Sequence, residues 1–193
     1  NRIDTRFPVQ FVIRPQRADF PDYRGYAGRV AGGVLRVGDE IMVLPSGLTS
    51  TITGIDSPTG PVEEATPGQA VTVLLADDLS ITRGDMICRP NNRPRVSQEL
   101  EAMLCWMDDT APLQPGKIYS IKHTTKVART KITEVLYRLN ISTLSRETGV
   151  NQLAMNEIGR VTLHTTAPLM FDDYHQNRTT GCFIIVDEAT GQT

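Results

Sequence analysis

The feature that most limits what this chain can fold into is the shortness of its apolar segments and the turn chemistry that closes them. Val9, Phe11 and Ile13 alternate with Gln10, Val12 and Arg14, Ile41-Met42-Val43-Leu44 is a short apolar run, and Val71-Thr72-Val73-Leu74-Leu75 is another. Such runs are strand-length, and the alternation has a strand's period of two rather than a helix's 3.6. Between them stand Gly32-Gly33, Gly38-Asp39, Pro45-Ser46-Gly47, Pro58-Thr59-Gly60 and Pro67-Gly68. Proline presets φ and glycine permits positive φ, so these are turns by mechanism. Many short strands joined by tight turns predict a β-barrel, which also removes the exposed edges that apolar strands would otherwise present.

The rhythm stops at Arg89-Pro90-Asn91-Asn92-Arg93-Pro94-Arg95, where two prolines exclude a central strand. A domain boundary is placed there, giving units 1–93 and 94–193. The alternation then restarts, with Leu100, Ala102, Leu104 and Trp106 on one face and Glu99, Glu101, Met103 and Cys105 on the other. A Pro-Leu-Gln-Pro-Gly turn at 112–116 leads to strands near 117–123 and 129–141; residues 142–156 read as loop, and strands resume at 158–165 and 182–187. The fold class expected is all-β: two antiparallel barrels. Trp106 lies in the apolar phase and belongs to the second core.

Composition adds exclusions. With 39% hydrophobic and 22% charged residues the chain is globular, and a net charge of −2 supplies no basic field for nucleic acid. No apolar run approaches the roughly 20 residues that cross a bilayer, and the start at Asn1 carries no signal-type segment, so a cytoplasmic piece of a longer protein is expected. Cys88, Cys105 and Cys182 form no C-x-x-C pair, and His123, His164 and His175 stand in no metal-binding spacing. The P-loop pattern is absent; around Gly116-Lys117, Ala111 replaces its first glycine and Ile118 its hydroxyl residue. No catalytic, cofactor-binding or metal-binding residue is therefore assigned. All four lysines (117, 122, 126 and 131) fall within residues 117–138. Strand parity divides Lys117 from Lys122 and Lys131 from Arg138, which favours a solvated wall over a nucleic-acid patch.

Residues 7–89 resemble the second domain of translation-factor GTPases, through Gly25-Tyr26-Ala27-Gly28-Arg29-Val30, Gly33-Val34-Leu35-Arg36-Val37-Gly38-Asp39-Glu40, Pro67-Gly68-Gln69-Ala70-Val71 and Arg83-Gly84-Asp85-Met86. More specific are Phe7-Pro8-Val9-Gln10, Arg14-Pro15, Asn156-Glu157-Ile158-Gly159, Asp173-Tyr174, Asn177 and Thr180-Gly181-Cys182-Phe183-Ile184. Together they are similar to the GTPase subunit of bacterial sulfate adenylyltransferase (ATP sulfurylase) over essentially the whole chain. The resemblance implies barrels of the elongation factor Tu domain 2 and domain 3 type. It also implies a preceding domain that binds GTP and Mg²⁺, and a separate catalytic subunit that transfers the adenylyl group of ATP to sulfate. In some members an adenylylsulfate kinase domain follows. The competing reading is a transfer-RNA-holding barrel pair from an elongation factor, for which residues 117–138 are the feature to test.

One segment is richer than a turn requires. Asp172 to Thr180 interposes polar residues between strands, and loops on rigid scaffolds carry recognition. Asp173, Tyr174, Asn177 and Arg178 are the candidate interface residues; the plainer reading is that Asp173 and Asn177 order the loop through Asx-type hydrogen bonds.

Overall fold

The computed structural model describes residues 4–15 and 23–193, and among them there are strands and turns but no helix. The chain divides into two compact units. The first comprises residues 1–96, 124–126 and 170–182, and the second residues 97–123, 127–169 and 183–193.

The first unit contains β1 (Arg6–Ile13), β2 (Gly25–Arg29), β3 (Leu35–Arg36), β4 (Glu40–Leu44), β5 (Leu48–Ser57), β6 (Gly60–Pro61), β7 (Glu64–Ala65), β8 (Ala70–Leu75) and β9 (Met86–Cys88). The order β4-β9-β1-β2-β8-β5 is closed by pairing of β4 with β5, which makes an antiparallel barrel of six strands; β6 extends β5, and β3 pairs with β7 apart from the ring. Closure leaves these strands no open edge. The glycines expected in turns adopt positive φ, at +89° for Gly38, +77° for Gly47 and +93° for Gly68. The core contains Phe7, Val9, Tyr26, Leu35, Ile41, Ile52, Ile55, Val73 and Ile87, all at most 1% exposed.

One expected strand face is corrected. Val9 is fully buried, but Phe11 is 64% exposed. The register of β1 against β2 shifts between Val9 and Phe11, and this bulge turns the phase of the strand, so Phe11 points out and Val12 packs on the core.

The second unit contains β10 (Arg95–Cys105), β11 (Ile118–His123), β12 (Lys126–Leu139), β13 (Arg146–Glu147), β14 (Ile158–Phe171) and β15 (Ile184–Val186). Its sheet runs β10-β14-β12-β11-β15, with β13 on β12. Trp106 is 2% exposed, donates from Nε1 to Ala111 O at 2.8 Å and meets Tyr119 edge-on, with ring centroids 5.5 Å apart. It lies in the core with Ile121, Ile132, Val161 and Leu163, whereas Leu104, expected beside it, is only half-buried. Two expectations about extent also change. β14 runs on past Thr165 to Phe171, and the 142–156 loop holds the short strand β13. That strand places Glu147 against Arg138, whose guanidinium donates to it at 2.9 and 2.7 Å.

Candidate functional site: the loop after β14

The segment that follows β14 belongs to the first unit, and one ion pair anchors it. Arg6, at the start of β1, donates from Nε to Asp172 Oδ2 and from Nη2 to Asp172 Oδ1, both at 2.8 Å. The side chains are 2% and 9% exposed. A planar guanidinium meets a carboxylate edge-on in this bidentate form, which fixes orientation as well as distance. The remaining groups are also satisfied. Arg6 Nη1 donates to the carbonyls of Thr5 (2.9 Å) and Asn92 (2.8 Å), and Thr180 Oγ1 donates to Asp172 Oδ2 at 2.7 Å. Asn92 Nδ2 passes the network on to Asp4 at 2.5 Å.

The loop itself is wound by local bonds. The amides of Gln176 and Asn177 both donate to the Asp173 carbonyl, at 2.8 and 3.0 Å. Asn177 Oδ1 accepts from the amides of Thr179 and Thr180, at 2.9 and 3.2 Å, while its Nδ2 donates to Ala31 O at 3.1 Å. One side chain thus closes the turn and ties it to the backbone beyond β2. The small residues nearby follow from this. A Cβ at Gly181 would lie 2.5 Å from Tyr174 Cα, and one at Gly32 would lie 2.7 Å from Asp4 O and 2.8 Å from Asn177 Nδ2.

The tip of the loop differs. Tyr174 is 51% exposed, with the Arg178 guanidinium carbon 5.9 Å from its ring centroid and the His175 ring edge-on at 6.3 Å. Asp173 is exposed and reaches Arg95 at 3.6 Å. Of the four candidate residues, Asn177 is therefore a fastener, Asp173 supplies a turn carbonyl and a surface ion pair, and Tyr174 and Arg178 form an aromatic-cationic pair open to solvent. The network also contains Arg6, Asn92 and Asp172, none of which the sequence pattern singles out. Arg6 does carry a usable signal: a charged residue abutting Phe7 on a core strand needs a carboxylate or carbonyls to be buried.

Chemically the base of the loop is an ordering network, its polar groups engaged with one another. Among the described residues no group of three or more His, Cys, Asp or Glu side chains could hold a metal ion. The Cys88 thiol, buried and pushed up to about 11 chiefly by desolvation, is far from thiolate character.

Comparison with known proteins defines the class first. Residues 26–88 match the family Elongation factor Tu domain 2, and residues 99–193 match GTP-eEF1A C-terminal domain-like. The crystal structure of sup35 complexed with GDP has the same fold, with a TM-score of 0.87 at 14% identity over 99% of this chain and 46% of that one. The chain is a translation-factor-type pair of β domains. Closer relatives are more particular. It is 52% identical over its whole length to the bifunctional enzyme CysN/CysC of Mycobacterium tuberculosis, and 42% identical to sulfate adenylyltransferase subunit 1 of Bacteroides fragilis. The chain is thus similar over its whole length to these proteins, and it spans 31% and 39% of the length of the two relatives.

Proposed function

We propose that this chain is the accessory barrel pair of a GTP-hydrolysing sulfate adenylyltransferase subunit, working in the cytoplasm. In this reading a GTPase domain outside residues 1–193 binds GTP and Mg²⁺, and a separate catalytic subunit forms adenosine 5′-phosphosulfate and pyrophosphate from ATP and sulfate. The barrels, taken as domains 1–93 and 94–193, give the GTPase domain a rigid surface to dock on or leave as its nucleotide changes. A fused adenylylsulfate kinase domain is a further partner of the type that CysN/CysC and NodQ, both named bifunctional, suggest. The observation that carries the reading is identity over the full chain of 42% to a protein named sulfate adenylyltransferase subunit 1 and of 52% to one named bifunctional enzyme CysN/CysC.

Within this role the loop from Asp172 to Thr180 serves recognition at its tip. Tyr174 and Arg178 present an amphipathic, largely preordered surface, of the kind that contributes most per residue to protein contacts. The test is reconstitution: the complete protein with its catalytic subunit should form adenosine 5′-phosphosulfate in a GTP-dependent manner. Formation indifferent to GTP would contradict the reading. So would salt-dependent binding of transfer RNA, whose slope counts phosphates contacted and which belongs to the elongation-factor alternative.

A further inference from the structure

A cavity of about 510 Å³ opens in the first unit, and every residue of its wall belongs to that unit. The volume falls within the roughly 300–1,000 Å³ of small-molecule sites, and an inorganic ion alone would leave most of it unfilled. Pro8 and Val30, both buried, form an apolar side with Pro67 from the turn before β8. Arg29, at the end of β2, is the only charged residue of the wall among those described, and Gln10, Thr124, Thr125 and Thr179 supply the other polar side chains. These groups are held in place by the fold. Arg29 Nε donates to the Gly68 carbonyl at 2.9 Å, which leaves the two terminal nitrogens of the guanidinium to bind elsewhere. Arg6, Arg36 and Arg89 of the same unit each meet a carboxylate, but among the described residues Arg29 meets none. Gln10 is the residue that the β1 bulge leaves with no opposite number on β2. Thr179 is fixed by the bond from its amide to Asn177 Oδ1.

Two of the threonines are costly where they stand. Thr124 and Thr125 make the two-residue turn between β11 and β12, where glycine or asparagine is the favoured choice, and Thr124 takes a φ of +50°. Thr125 Oγ1 is buried with no hydrogen-bond partner among the described residues. A β-branched residue in the left-handed region and an orphaned hydroxyl both lower stability, and both occur in this one wall. A lone guanidinium with hydroxyl and amide groups, and no carboxylate or imidazole beside it, suits an oxyanion and repels a metal ion. One cation is too few for a nucleic-acid strand, which is held through many phosphates. The apolar side calls for carbon as well as charge in the occupant.

We infer that this cavity binds a small organic anion, whose oxyanion group takes the free guanidinium nitrogens of Arg29 and the Thr125 hydroxyl and whose apolar body lies against Pro8, Val30 and Pro67. The experiment is equilibrium dialysis of the complete protein with phenyl phosphate, phenyl sulfate and benzoate, which carry one ring and three head groups, and with neutral benzyl alcohol as the control. Excess GDP is present throughout to fill any nucleotide site elsewhere. At least one of the anions should bind more tightly than benzyl alcohol, and less tightly as salt is added. The preferred head group identifies the class of anion. Arg29→Met should weaken that binding at least tenfold. Thr125→Val keeps the shape and removes the orphaned hydroxyl, so it should weaken binding severalfold while the melting temperature stays at or above that of the wild type. This second variant keeps the test intact if Arg29→Met loosens the Gly68 turn. Binding of all three anions no tighter than that of benzyl alcohol, or binding within twofold of wild type in both variants, overturns the site. None of these outcomes depends on the function proposed above.

Discussion

The base and the tip of the loop after β14 hold equally polar residues and use them in opposite ways. At the base Arg6 and Asp172 are withdrawn from water, and their hydrogen-bonding groups are taken up by each other and by Thr5, Asn92 and Thr180. At the tip Tyr174 and Arg178 touch each other and solvent. Burying a charge is costly unless its partner is in place, so the base acts as a switch-like fastener: whole, it adds little net stability; broken, it leaves an orphaned ion. The tip has no such penalty and is free to be complementary to something else.

This contrast orders the expected effects of substitution. The largest is Asp172→Ala, which strands the buried Arg6 guanidinium and should cost about 3–5 kcal/mol in chemical denaturation. Replacing the pair together, Arg6→Met with Asp172→Leu, should recover most of that loss; no recovery would mean the pair itself, rather than its incompleteness, holds the loop. Trp106→Ala is the comparison from the second unit, where packing replaces charge, and should also cost about 3–5 kcal/mol. A loss under about 1 kcal/mol would place the indole on the surface.

Smaller is Asn177→Ala, at about 1–3 kcal/mol, since it leaves two loop amides and the Ala31 carbonyl to find other partners. Smaller again is Lys117→Met, which probes a partly open pair. The Lys117 ammonium, donating to Asp187 at 2.5 Å, holds that carboxyl below its ordinary value, and hydrogen bonds from the loop backbone add to the effect. A depressed carboxyl stabilises the fold above its unfolded value of about 4, and that contribution is lost as pH falls through the lower folded value. The variant should therefore lose that contribution near neutrality and converge on the wild type at low pH, which flattens the acid limb of its stability-versus-pH curve. An unchanged limb would mean Asp187 is held by its backbone donors alone.

How much of this is legible in the sequence depends on how local each signal is. Period-two alternation places Trp106, one residue past the end of β10, in the core, and turn glycines mark the corners, because both are properties of a few consecutive residues. Alternation misplaces Phe11 because a bulge leaves no mark in an alternating pattern; only the shift of pairing against β2 reveals it. The Asp172 to Thr180 loop is identifiable by composition, and Asn177 by its turn chemistry. Its anchor is not, since Arg6 and Asp172 are 166 positions apart and neither residue advertises its partner. The pairing of the basic stretch 117–138 is hidden for a related reason: the cluster is visible, but which of its lysines and arginines are neutralised depends on Glu188, Glu147 and Asp187 arriving from other strands and turns.

The smallest expected effect on stability is also the sharpest test of the division between base and tip. Tyr174→Ala with Arg178→Ala should leave the melting temperature unchanged, because surface substitutions of this kind stay within about 0.5 kcal/mol. The measurement is made on the complete protein with the catalytic subunit proposed for it, following melting temperature and the proposed GTP-stimulated formation of adenosine 5′-phosphosulfate side by side. Loss of subunit association or of the GTP stimulation at constant melting temperature is the predicted result. Lowered melting with stimulation intact would contradict it and reduce the tip to part of the loop's own framework.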